Sequence, residues 1–345
     1  MKTLKLCMIG FGNVGRAFAE LLLTKQKELA DKFQIQMRIT GIATGSHGRA
    51  LDQDGIDIPA AVRLAQQGQD LAALSKSPAP PALEDFIADS QAGLMLENSP
   101  VNYQTGQPAV DHVCAALTAG LHVVSANKGP VVHAYHQLNQ LARDNGCRYM
   151  FESTVMDGAP IFSVFREALP AATIIAFKGI LNSCTNLIIE KMESGFTFDD
   201  AVAYAQSIGI TETDPSGDID GWDAAIKVAA LATVLMGQPI KPVDVDRTGI
   251  RDLSTENIQS ALNQGNRWKL VCSAGMRDGK FHAEVAPEMI SPSSPLYAVS
   301  GTSSFIEFET DVLPKLGILE GNPSPQTTAY GLLADILNII KQDAV

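Results

Sequence analysis

The stretch Gly209-Ile210-Thr211-Glu212-Thr213-Asp214-Pro215-Ser216-Gly217-Asp218-Ile219-Asp220-Gly221-Trp222-Asp223-Ala224-Ala225-Ile226-Lys227 is the densest polar constellation in the chain, and it runs into an apolar segment ending near Leu235. Asp223 and Lys227 stand four residues apart, so on a helix they share a face and meet. One reading is an exposed ion pair worth about 0.3 kcal/mol. The other is a lysine that transfers a proton, held in place by Asp223. Hydride transfer to an aldehyde leaves charge on oxygen, and an ammonium beside that oxygen supplies both the proton and electrostatic stabilisation. Lys227 suits that chemistry, and Glu212 is a natural partner for the cationic amine of an amino-acid substrate.

A second set of residues suits an anionic cofactor. Gly10-Phe11-Gly12-Asn13-Val14-Gly15 follows the apolar run Leu4 to Ile9. Glycines at this spacing give a tight bend, let the backbone approach a pyrophosphate and leave N–H groups at a helix start for its oxygens. After the first strand of an α/β pattern the turn reads as dinucleotide-binding; the plainer reading is a structural turn. An NAD site usually carries Asp or Glu at the end of the second strand, to hold the ribose diol. Here that place is Ala43-Thr44-Gly45-Ser46-His47-Gly48-Arg49, with no carboxylate. Ser46, His47 and Arg49 suit a 2′-phosphate instead, with Thr44 also at the cofactor, so NADP is expected ahead of NAD, although Arg49 also reads as a solvated loop charge.

These residues need strands and helices to position them. Strand, turn and helix are expected from Leu4 to about Leu29, a second strand from Gln36 to Ala43, and helical sequence from Ile56 to Asp89 interrupted at Pro78 to Pro81. Gly93 to Glu97 reads as a strand, His112 to Ala119 as a helix, and Leu121 to Ser125 as a buried strand. Ligands of doubly wound sheets gather beyond the carboxyl ends of parallel strands, which draws in Ser99 of Glu97-Asn98-Ser99-Pro100 and Lys128 of Ala126-Asn127-Lys128-Gly129-Pro130. By position alone Lys128 reads equally as a surface charge. From about Phe151 the runs Thr173 to Ile180, Leu187 to Met192, Lys280 to Ala286 and Ser304 to Thr310 suggest an antiparallel sheet with helices on one side. The fold class is therefore α/β: an N-terminal Rossmann-type doubly wound parallel sheet over 1–150, completed by a C-terminal helix within about 318–345, plus an α+β substrate domain over 151–317.

The chain has 345 residues, 46% of them hydrophobic, enough for two packed cores. Its formal charge of −12 and the lack of a Lys/Arg run argue against nucleic acid or an anionic membrane as partner. Lys2 to Lys5 leaves no room for a signal peptide before Gly10, and no run of 18 apolar residues occurs, so a cytoplasmic protein acting on a small molecule is expected. The five cysteines are widely spaced and read as small buried hydrophobes. His133 and His136 lack a third ligand at metal spacing.

In order and separation, four segments resemble the homoserine dehydrogenases over nearly the whole chain: Gly10 to Gly15, Val123 to Lys128, Gly179-Ile180-Leu181-Asn182-Ser183-Cys184-Thr185-Asn186, and Glu212 to Lys227. The resemblance implies NAD(P)-linked interconversion of L-homoserine and L-aspartate 4-semialdehyde by a homodimer built through the second domain. It implies Lys227 as proton donor, Glu212, Asp223 and Asn182 at the substrate, and Lys128 between cofactor and substrate. It also implies a sodium ion in the segment Phe151 to Pro160, where Glu152 and Val155 match the family pattern while Asp157 and Ala159 depart from it; most ligands there would be backbone carbonyls. The family's glycine-rich stretch before the last helix is replaced by Glu320-Gly321-Asn322-Pro323-Ser324-Pro325-Gln326-Thr327, where proline fixes φ and removes a donor, so cofactor contacts are not carried over. That change motivates an alternative, a dehydrogenase of another small amino or hydroxy acid. A catalytically silent NADP-binding sensor has no need of Glu212, Asp223 and Lys227 together. The end at Val345 leads one to expect the short form, without a regulatory domain.

Overall fold

The structure, a computed structural model, describes residues 1–211 and 214–342. The chain divides into two compact units, one of residues 1–160 with 324–345 and one of residues 161–323. Both boundaries fall beyond those read from the sequence.

The first unit alternates strand and helix. Its elements are β1 (Lys2–Ile9), α1 (Asn13–Phe33), β2 (Ile35–Ala43), β3 (Arg49–Leu51), α2 (Ile58–Gln66), α3 (Leu83–Ser90), β4 (Leu94–Glu97), α4 (Ala109–Thr118), β5 (His122–Ser125), α5 (Lys128–Asp144) and β6 (Tyr149–Met150). The sheet order is β3-β2-β1-β4-β5-β6, parallel except where β3 turns back on β2. Chain direction across the sheet reverses between β1 and β4, and doubly wound sheets bind ligands at such a crevice. Helix α1 buries Gly15, Phe18, Ala19, Leu22 and Leu29, one face at helical spacing, and stops where Gln34 turns left-handed at φ 58°. The C-terminal helix Pro325–Gln342 packs on α1 and adds Leu332, Leu333 and Ile336 to a core of Leu6, Met8, Phe18, Ile39, Leu94 and Val124.

The second unit holds β7 (Ile174–Ile180), α6 (Ser183–Glu193), α7 (Phe198–Ser207), α8 (Ser216–Ile219), α9 (Trp222–Leu235), β8 (Asp246–Arg247), α10 (Thr255–Asn263), β9 (Arg267–Arg277), β10 (Lys280–Ile290), β11 (Ser304–Thr310) and β12 (Leu316–Glu320). Its sheet, β12-β11-β7-β9-β10-β8, is antiparallel except between β10 and β8. One sequence expectation fails here: Leu187 to Met192 is helix, the middle of α6, and no strand. Cys184, Leu187, Ile188 and Met192 follow the helical period, and Asn182 caps the helix by accepting the Thr185 N–H at 2.8 Å. Helix α9 is apolar on nearly every side, with Ala224 to Ile226 and Val228 to Ala232 buried, so Lys227 is a lone cation inside an apolar helix.

Candidate active site

In the first unit the residues singled out for a cofactor follow the carboxyl ends of β1, β2, β4 and β5. Gly10 has φ +92°, and a Cβ there would lie 2.5 Å from the Asn98 carbonyl group, so the bend after β1 sits directly against the loop after β4. Gly15 lies under the Gly10 carbonyl for the same reason. A Cβ at Gly12 would meet nothing within 4 Å, and Gly12 caps α1 with no side-chain hydrogen bond. Open space above uncapped first-turn N–H groups, at Asn13 and Val14, fits a pyrophosphate.

The loop after β4 is held by buried polar groups. Glu97 has no exposed surface; Oε1 accepts the Ser99 N–H at 2.8 Å and the Ser99 hydroxyl, and Oε2 meets His112 Nδ1 at 2.8 Å. Asn127 Nδ2 donates to the carbonyls of Ser99 at 2.9 Å and Pro100 at 3.2 Å, while its Oδ1 accepts the Gly129 N–H and caps α5. Ser99 and Lys128, the first residue of α5, are thereby tied into one network. Glu97 and Asn127 were visible in sequence only as strand-end residues.

After β2, Thr44 Oγ1 donates to the Gly48 carbonyl and accepts the His47 N–H, closing a tight loop with Ser46 exposed at its tip. Arg49 is no solvated loop charge: Nη1 donates to the Pro80 carbonyl at 2.7 Å, and the guanidinium lies 5.5 Å over the Phe86 ring.

Glu152 opens a 3₁₀ turn and is buried with Val155 and Ala159. The Glu152 N–H donates to Asp335 Oδ2 of the C-terminal helix at 2.7 Å. Asp157 takes a positive φ of 42° and accepts from Thr327 Oγ1 at 3.1 Å. Among the described residues no group of three His, Cys, Asp or Glu side chains is placed to hold a metal ion.

In the second unit the catalytic candidates converge on the start of α6. Lys227 Nζ lies 2.8 Å from Asp223 Oδ2 and donates to the Leu181 carbonyl at 2.7 Å, and both charged side chains are about seven-eighths shielded, 14% and 13% exposed. The pair is therefore not the exposed helix pair of the plainer reading. Asn182 has its Oδ1 turned to α6, so its Nδ2 is aimed at two carboxylates, Asp218 Oδ1 at 2.7 Å and Asp223 Oδ2 at 3.1 Å. Asp218 Oδ2 accepts from Thr211 Oγ1 at 2.7 Å. Burial, then the charge of Asp223, holds the Asp218 carboxyl above the usual carboxylate range, against the bonds from Asn182 and Thr211 that favour its ionised form. Asp218 and Thr211 were not singled out from the sequence; the crowding of carboxylates around Asp218 was the available signal. Glu212 lies outside the described residues. Burial pushes the neighbouring thiols of Cys184 and Cys272 up, the latter to about 12, which leaves no thiolate nucleophile at the cluster.

This arrangement sets one ammonium against two carboxylates, able to hand a proton to an oxygen and to receive a cationic amine. Comparison with known proteins agrees. The homoserine dehydrogenase family model matches residues 160–337, and the model for the homoserine dehydrogenase NAD-binding domain matches residues 10–152. An NAD(+)-dependent homoserine dehydrogenase of Pseudomonas canavaninivorans is 32% identical over 98% of this chain and 97% of its own length. The homoserine dehydrogenase of Methanocaldococcus jannaschii is 32% identical over 96% and 97%. A solved hyperthermophilic archaeal homoserine dehydrogenase in complex with NADPH superposes with a TM-score of 0.83 at 28% identity, covering 99% of this chain and 98% of that one. By sequence, by fold and by the residues gathered around Lys227, this chain belongs to the homoserine dehydrogenase family.

Proposed function

We propose that the protein catalyses the NAD(P)-linked interconversion of L-homoserine and L-aspartate 4-semialdehyde, the branch step towards threonine, methionine and isoleucine, as a cytoplasmic homodimer. The observation that carries the reading is the cluster of Asp218, Asp223 and Lys227 around Asn182. When bound, the nicotinamide supplies or accepts the hydride. Lys227 gives its Nζ proton to the aldehyde oxygen as negative charge develops there, and takes the hydroxyl proton back in the oxidative direction. Asp223 orients that ammonium, and Asp218 with Glu212 receives the substrate amine as a charge-assisted partner. Asn182 spaces the two aspartates. Ser99 and Lys128, fixed through Glu97 and Asn127, bound the nicotinamide end of the cofactor site, and the first turn of α1 holds the pyrophosphate.

NADP is the preferred cofactor on this reading, because the end of β2 offers hydroxyls and a histidine where an NAD site has a carboxylate. Arg49 acts by bracing the segment from Pro80 to Ala82 beside that loop. A sodium ion would be held by Glu152 and by backbone carbonyls of Val155, Asp157 and Ala159; no step of the reaction runs through it. The test is oxidation of NADPH by the purified protein with L-aspartate 4-semialdehyde, beside NADH and beside other small amino- and hydroxy-aldehydes. The expected result is fastest turnover with NADPH and the semialdehyde. Turnover only with another aldehyde contradicts the assignment.

A further inference from the structure

The turn that joins α8 to α9 carries Asp218 at one end and Asp223 at the other, and it is gripped from outside by residues with no place in the reaction. Arg247 reaches across its own side of the turn: Nη1 donates to the Asp220 carbonyl, and the guanidinium stacks 3.7 Å over the Trp222 ring. Arg251 forks onto the Asp220 carboxylate, Nε on Oδ1 and Nη2 on Oδ2 at 3.0 Å. Between them the Ile250 N–H donates to the Ile219 carbonyl at 2.8 Å. Gly249 presses so closely that a Cβ would lie 2.7 Å from Asp220 Cα and closer still to the Ile219 carbonyl oxygen. The gripping segment is itself anchored, since β8 pairs with β10 and the Thr248 N–H donates to the Val285 carbonyl at 2.7 Å.

We propose that Arg247 and Arg251 are positioning residues: acting through Trp222 and Asp220, they lock the α8–α9 turn to the sheet and so set the separation of Asp218 from the Asp223–Lys227 pair. The inference rests on the catalytic reading of that cluster. At the turn's apex Gly221 takes a left-handed φ of +79°, its N–H donating to the Asp218 carbonyl at 2.9 Å, so the turn has a defined shape of its own and the external grip fixes where that shape sits on the sheet. Arg251 is half exposed and pairs with a partly exposed carboxylate, a pair that adds little to global stability. Its worth lies in orientation, where a misplacement of about 1 Å costs about a hundredfold in rate.

The experiment compares Arg251→Met, Arg251→Lys, Arg247→Met and Lys227→Ala with the native enzyme. Readouts are kcat and KM for homoserine, cofactor affinity by fluorescence titration, and Tm. A second readout is quenching of Trp222 by acrylamide in a Trp268→Phe background, where Trp222 is the only tryptophan. Arg251→Met is expected to raise the KM for homoserine and lower kcat, with kcat/KM down at least about tenfold, cofactor affinity within about twofold and Tm nearly unchanged. Arg251→Lys, which keeps the charge and loses the fork, is expected to recover part of the loss. Quenching of Trp222 should rise in Arg247→Met. Folded variants with native kcat/KM, or a loss shared equally with cofactor affinity, overturn the proposal. If Arg247→Met fails to fold, the two Arg251 variants decide it. Lys227→Ala separates the two levels: full activity there overturns the catalytic reading itself, whereas an inactive Lys227→Ala beside a native-like Arg251→Met overturns only the clamp.

Discussion

Two carboxylates sharing one amide are an unfavourable arrangement unless a cation joins them. Burial first, and the charge of Asp223 second, raise the Asp218 carboxyl, and the consequence has a definite sign. A carboxyl whose folded pKa lies above its unfolded value leaves the folded state undisturbed at pH below the unfolded pKa, and destabilises it as pH rises through the interval between the two. Replacing the group with a neutral one removes that penalty. The Tm of Asp218→Asn relative to native protein is therefore expected to be more favourable at pH 8 than at pH 4, while its KM for homoserine rises about tenfold or more, as for loss of a charge-assisted bond. Calorimetry at the two pH values with steady-state kinetics checks both; a relative Tm that falls with pH contradicts the assigned environment. Asp223 and Lys227 were legible in the sequence because four residues is one helical turn. Asp218 meeting Asn182 was not, because the two lie 36 residues apart on elements that only the tertiary fold brings together. Glu97 likewise read as a strand end, and its role in fixing Ser99 needed the geometry of the loop.

At the level of elements, periodicity and turn chemistry carried the reading where a segment had one buried face. Helix α1 and strand β11 were recognisable for that reason, whereas β1, β2, β4 and β5, buried at consecutive positions, were recognisable as short apolar runs bounded by glycine and turn residues. Helix α6 was not, because Leu187, Ile188 and Ile189 form a run apolar on consecutive positions, and such a run does not by itself distinguish a buried strand from a buried helix. Gly10→Ala places a Cβ against the Asn98 carbonyl group in a left-handed backbone, with backbone on both sides of the clash. A loss of about 3 kcal/mol in stability and at least about tenfold in cofactor affinity is expected, read by denaturant unfolding and cofactor titration. A change under about 1 kcal/mol contradicts the close approach.

For the whole molecule, the two units rest on two cores, one around a parallel sheet and one beneath an antiparallel sheet. No helix among the described residues is long and apolar enough to cross a membrane. The second sheet carries Ile175, Met276, Met289 and Leu319 at 41%, 55%, 48% and 65% exposure, apolar surface on the unit through which a homodimer is proposed. Sedimentation equilibrium is expected to give twice the 36.8 kDa chain, and a fully active species at the chain mass contradicts the proposed dimer.

The most direct test of the account is turnover by Lys227→Ala. With the ammonium paired to Asp223 removed, kcat for L-aspartate 4-semialdehyde reduction is expected to fall by about a hundredfold to ten-thousandfold, with NADPH affinity close to native and a lowered Tm, since two shielded carboxylates lose their cation. A variant that binds NADPH and still turns over at the native rate would show that the proton comes from elsewhere and that the cluster around Asn182 is not the catalytic centre.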